Sequence, residues 1–140
     1  DLTDAMLARA EARATKSGNK NYRLGIGDAY DLDFADDSFD VLINNYMFDL
    51  LPESDFPRVL RGFHRVLRPG GRLLMVNMTA GEHWYNGLWP LIYRLNPALL
   101  GGCRGVSLVP HLEAEGFIVI ERDYISQSTF PSEVISARKT

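Results

Sequence analysis

Cysteine is nearly absent. Cys103 is the single one in 140 residues, which excludes a disulfide within the chain and any metal site built from several thiolates. No apolar run approaches the roughly 18 residues that a membrane-spanning helix needs. An excess of basic charge is also missing: 15 Lys and Arg stand against 18 Asp and Glu, a net charge of −3 with both signs interspersed. Without a basic stripe nothing tracks a phosphate backbone. These absences argue against nucleic acid as a partner and against an integral membrane segment, and they fit a reducing, cytoplasmic setting. No positively charged start followed by an apolar stretch marks a targeting signal. What is present suffices for one core, since 46% of the residues are hydrophobic in a chain of domain length.

Helical and strand patterns alternate along the chain, the signature of a parallel sheet covered by helices. Thr3 can cap a helix in which Met6, Leu7, Ala10 and Ala14 recur at helical spacing, and Ser17-Gly18-Asn19 stops it. Tyr22 to Ile26 reads as a short strand ending at Gly27-Asp28, and Phe39 to Ile43 as a buried strand ending at Asn44-Asn45. Pro52 to Arg68 carries Phe56, Val59, Leu60, Phe63, Val66 and Leu67 on one helical face, and Pro69-Gly70-Gly71 then predicts a turn. Arg72 to Met78 is the next strand. Residues 79–106 are irregular and rich in aromatics, Gly and Pro, after which Leu108 to Glu115 reads as a helix stopped by Gly116. Phe117 to Ile125 and Val134 to Arg138, joined by a loop containing Pro131, form an antiparallel pair at one sheet edge.

In open α/β sheets, ligands bind outside the carboxyl ends of the strands. The residues at those positions are Asp28-Ala29, Asn44-Asn45 and Asn77-Met78-Thr79. Asp1 occupies the same kind of place if a strand precedes it. An acid there can accept both hydroxyls of a ribose, and an acid at a helix start is also favoured by the helix dipole by about 0.3–1 kcal/mol. Asp1 carries both readings.

Three blocks in this order, DLTDAMLARA, GDAYDLDFADDSFDVLINNYMFDLL and HRVLRPGGRLLMVNM, resemble the class I S-adenosylmethionine-dependent methyltransferases. The resemblance is to the small-molecule branch similar to the ubiquinone and menaquinone C-methyltransferases. It implies a Rossmann-like α/β fold: a doubly wound, mostly parallel sheet with a C-terminal antiparallel hairpin. It further implies S-adenosylmethionine as cofactor and a small methyl acceptor as substrate. Carried over residue by residue, Asp1 would hold the ribose hydroxyls and Leu2 would cover the adenine face. Asp28 would accept from the adenine amino group, Ala29 would offer its backbone N–H to the ring, and Asn44 and Asn45 would lie near the methionine portion. Their amides both donate and accept. None of this requires a metal.

The family's glycine-rich loop, its first strand and most of its second would stand before Asp1. The resemblance therefore implies that residues 1–140 are a single methyltransferase domain, N-terminally truncated, in which Asp1 ends a missing strand. Such a piece would be inactive alone and inclined to self-association through unpaired strand edges. Two other classes share part of the pattern. A nicotinamide-dependent oxidoreductase also has an acid after its second strand, although the Pro-Gly-Gly turn and the closing hairpin speak against it. The other is a methyltransferase-like interaction module without catalysis.

Other features have plainer readings. The acids between Asp28 and Asp40 lack the central Gly and closing Glu of a calcium loop and read as a solvated segment. His64 and His111 sit on helices and read as structural. His83 differs, because it follows a strand within GEHWYNGLWPLIYRL, where this architecture places substrate; it is the candidate general base. Trp84, Tyr85 and Tyr93, with Trp89, suggest an apolar or aromatic acceptor, and packing onto the core accounts for the same residues.

Overall fold

Thr3 opens the first helix as its sequence suggests. In a computed structural model, which describes residues 3–18, 20–79, 104–127 and 130–140, helix α1 runs Asp4–Ser17. The Thr3 side chain accepts from the Met6 amide, and Gly18 ends the helix in the left-handed conformation that glycine adopts without steric cost. The chain divides into two compact units, Asp1–Phe34 and Ala35–Thr140. In the first, α1 is followed by residues 20–27 in no regular structure. The strand expected at Tyr22–Ile26 is therefore not formed. A strand needs a regular ladder of hydrogen bonds to a neighbour, and residues 20–27 carry no strand; Tyr22, Leu24 and Ile26 stand exposed.

The second unit is built on one sheet. Its elements are β1 (Phe39–Asn45), two 3-10 turns (Phe48–Leu50 and Glu53–Asp55), α2 (Phe56–Val66), β2 (Leu67–Met78), α3 (Val109–Ala114), β3 (Phe117–Gln127) and β4 (Phe130–Lys139). The strand order is β1-β2-β4-β3, with β1 and β2 parallel and the other two ladders antiparallel. The parallel pairing of Phe39–Ile43 with Arg72–Met78 follows from their joining by one amphipathic helix, a crossover unit. The placement of β1 differs from expectation: it is the edge strand of the described sheet, and Val41 and Ile43 are exposed, Ile43 to 63%. An apolar run alone identifies a strand that can be covered on both faces, not one that is.

Helix α2 starts later than its periodicity suggests, at Phe56, because Pro57 has no N–H to donate and is tolerated only in the first turn. It ends at Val66, since Arg68 precedes Pro69 and is biased to extended backbone. The chain passes directly into β2, so Pro69-Gly70-Gly71 is not a separate turn but a bulge within the strand. Phe39 pairs with Leu67 and Val41 with Arg72, so that two steps along β1 match five along β2. Gly70 has φ +73°, and a Cβ on Gly71 would lie 2.8 Å from the Arg68 carbonyl oxygen and 3.3 Å from that of Asp40. Gly71→Ala is accordingly expected to cost about 1–3 kcal/mol by forcing backbone apart, which thermal unfolding of the variant would measure. Pro131 likewise lies inside β4, opposite Ser126, and not in a loop. It is the second residue of the strand, where a missing donor is least costly.

The core occupies one face of this sheet. Leu73 and Met75 of β2 and Ile135 and Ala137 of β4 are buried in alternation, beneath Val59, Leu60, Phe63 and Val66 of α2 and Leu112 of α3. Helix α2 packs on β2, α3 on β3, and the two helices touch. Phe48 closes the end of this core with edge-on contacts to Phe56 and Phe63 at centroid distances of 5.0 and 6.0 Å.

Candidate functional site

Asp28 and Ala29 belong to the first unit. The Asp28 carboxylate accepts the Tyr30 amide at 2.9 Å and its carbonyl accepts that of Asp31 at 3.1 Å, a tight Asx-type turn. The side chain stays exposed, and a carboxylate has acceptor capacity beyond one hydrogen bond.

Asn44 and Asn45 lie at the carboxyl end of β1, in the second unit. Tyr46 then turns the chain with φ +50°, an uncommon conformation for a bulky residue. Its amide donates to the Val76 carbonyl at 2.7 Å, and its hydroxyl lies 3.0 Å from the Ser132 hydroxyl. Asn44 Nδ2 donates to the Met47 sulfur at 3.5 Å, while its buried Oδ1 has no hydrogen-bond partner among the described residues. Asn77, at the carboxyl end of β2, is fully buried and neither its Oδ1 nor its Nδ2 is partnered among them. Directly across the ladder stands Glu133, also buried, whose carboxylate accepts Arg122 Nε at 2.6 Å.

Asp49 completes the group. It is fully buried; Oδ2 accepts the Met78 amide at 3.0 Å, and Oδ1 is without a partner among the described residues. Burial pushes its carboxyl up to about 6, with the neighbouring Glu133 charge adding to the rise and the Met78 amide opposing it. Sequence reasoning placed Asn44, Asn45 and Asn77 at strand ends but passed over Asp49, Tyr46, Ser132 and Glu133. The signal for Asp49 was a lone acid within the apolar run YMFDLL; Glu133 carries no such mark.

The remaining candidates are elsewhere. Asp1, Leu2, His83, Trp84, Tyr85, Trp89 and Tyr93 lie outside the described residues. His64 packs edge-on against Phe117 at 5.2 Å, and burial together with the Lys139 ammonium holds its imidazole below the ordinary value. His111 packs on Phe56 and meets Glu53 at 3.1 Å. Three acids of the 28–40 segment, all in the second unit, are used in cross-ties: Asp36 pairs with Arg65, Asp37 with Lys139 and Asp40 with Arg68. Among the described residues no three His, Cys, Asp or Glu side chains are grouped to hold a metal, and no helix is long and apolar enough to cross a membrane.

A crossover-linked parallel pair with polar residues at both carboxyl ends, continued by an antiparallel hairpin, defines a Rossmann-like α/β fold of the kind that binds nucleotide cofactors. Residues 1–71 match the family described as a methyltransferase domain. The chain belongs to this family, the class I S-adenosylmethionine-dependent methyltransferases, and not to the nicotinamide-dependent oxidoreductases. It is 32% identical over 126 residues to an arsenite methyltransferase of Halobacterium salinarum, covering 86% of this chain and 30% of that protein. Over 81 residues it is 40% identical to the ubiquinone/menaquinone biosynthesis C-methyltransferase of Paracoccus denitrificans, covering 56% of this chain and 31% of the relative. The chain thus spans about 30% of the length of these curated relatives. A solved SAM-dependent methyltransferase of Methanosarcina mazei superposes with a TM-score of 0.74 at 20% identity, over 99% of this chain and 79% of the other; that likeness speaks to the fold alone.

Proposed function

We propose that the protein transfers a methyl group from S-adenosylmethionine to a small molecule, and that residues 1–140 are part of its single methyltransferase domain. The observation that carries this reading is the pair of amides at the carboxyl ends of β1 and β2, half-buried Asn44 and fully buried Asn77, whose buried atoms are in part without partners among the described residues. A buried polar group without a partner costs roughly 1–3 kcal/mol, and a ligand presenting an ammonium and a carboxylate supplies what an amide lacks. By their donor and acceptor chemistry, Asp28 would take an amino group and Ala29 would offer a backbone N–H to a ring nitrogen, and Asn44 and Asn45 would serve the amino-acid end. Asp1 would take the ribose hydroxyls and Leu2 the adenine face. The cofactor supplies an activated methyl on a positively charged sulfur, so the protein's task is alignment and exclusion of water.

Residues 80–103 would hold the acceptor. Trp84, Tyr85 and Tyr93 favour an apolar or aromatic molecule, in keeping with the quinone named for one relative; arsenite, named for another, is the competing acceptor. His83 would take the proton from an acceptor that carries one. In the full-length protein, Asp28→Ala is expected to weaken S-adenosylmethionine binding by about 1–3 kcal/mol, the loss of one polar contact that the bound cofactor would cover. Isothermal calorimetry measures it, and unchanged affinity with an intact circular dichroism spectrum refutes the assignment of Asp28. Methyl incorporation into a panel of quinols, phenols and arsenite then selects the acceptor, and cofactor binding with no turnover on any of them would favour an interaction module.

A further inference from the structure

Asp49 holds together three stretches of chain that are distant in sequence. Its Oδ2 accepts the Met78 amide at the end of β2, and its backbone carbonyl accepts the Arg104 amide at 3.2 Å. The Val106 amide then donates to the Met78 carbonyl at 2.9 Å, and Arg104 Nη2 donates to the Leu51 carbonyl at 2.7 Å. Residues 80–103, to which acceptor binding is assigned above, run between these anchor points. A carboxylate is an expensive choice for such a fully buried joint, since its second oxygen is without a partner among the described residues. The charged groups facing it oppose one another. Glu133 of β4 adds a like charge, and Arg104 an opposite one from a guanidinium 5.8 Å from the Phe56 ring centroid. Arg122 of β3 is engaged with Glu133, and β2 offers only the Met78 amide and the neutral Asn77.

We propose that Asp49 is a positioning residue that clasps the two points between which residues 80–103 run, and that taking up a proton closes the clasp more firmly. The closed arrangement desolvates the carboxylate, whereas an opened one returns it to water, so the closed form binds the proton more tightly. The carboxyl value near 6 in the fold, against 3.8 in water, has the same sign. Closure is then firmest below pH 4, weakens as pH rises towards 6, and is constant above. Its relevance to catalysis rests on the assignment of acceptor binding to residues 80–103; the clasp itself does not.

Hydrogen exchange of the full-length protein tests this without any acceptor. Protection of the Met78, Arg104 and Val106 amides, corrected for the intrinsic pH dependence of exchange, should fall roughly tenfold between pH 5 and pH 7.5 in the wild type. It should be level in Asp49→Asn, which retains an acceptor for the Met78 amide. Level protection in the wild type overturns the proposal whether or not the variant folds, and so does the same fall in the variant. Loss of S-adenosylmethionine binding or turnover with the exchange pattern intact would refute the functional reading and leave the clasp standing.

Discussion

Phe48→Ala is expected to destabilise the protein by about 3–5 kcal/mol, the range for removing a large aromatic from a packed core. Phe48 is fully buried and presents its ring edge-on to both Phe56 and Phe63, so truncation removes apolar burial and two favourable aromatic contacts together. The 3-10 turn that carries it has no other buried apolar anchor, so the segment next to Asp49 loses its seat. Urea denaturation monitored by far-ultraviolet circular dichroism measures the loss. A change below about 1 kcal/mol would mean that the turn is not packed on α2 as described.

Asp49→Asn should act in the opposite direction. Moving a carboxyl from 3.8 in the unfolded chain to about 6 in the fold corresponds to roughly 3 kcal/mol. The group's contribution is fully present below about pH 3.8, is lost as pH rises through 6, and stays lost at neutrality. At pH 7 the wild type therefore carries a charge the fold disfavours, and the variant is expected to be more stable by up to about 3 kcal/mol. The difference should close as the pH falls below 4. Paired denaturation curves across that range isolate the effect, because every other titrating group is common to both proteins. A variant less stable at pH 7 would show that the Asp49 charge is held favourably.

Much of this architecture was legible in the sequence because local chemistry decided it. The Thr3 cap, the Gly18 stop, the apolar stripe of α2 and the polar terminus of β1 all follow from rules acting within a few residues. Misreadings arose where pairing with distant chain decides the outcome. Tyr22–Ile26 has strand composition but carries no strand, and Pro-Gly-Gly has turn composition yet bulges out of a strand paired with β1. Pro131 looked like a loop residue until Ser126 stood opposite it. The same distinction governs the site. Asn44, Asn45 and Asn77 could be placed because strand ends are visible in sequence, whereas the convergence of Asp49, Glu133 and Ser132 depends on β4 entering beside β2.

That order of strands bears on synthesis. Because β4 lies between β2 and β3, the sheet cannot be completed until residues 130–139 have left the ribosome. Until then one edge of β2 is open, with Leu73 and Met75 lacking their neighbours Ala137 and Ile135. The Lys139 ammonium, bound to the Leu67 carbonyl at 2.7 Å and to Asp37 at 2.8 Å, closes over a separation of 102 residues. Contacts so distant make folding slow and leave nascent chains exposed to mispairing. A chaperone that shields strand edges is therefore expected to raise the yield in the cell without altering the stability of the finished protein.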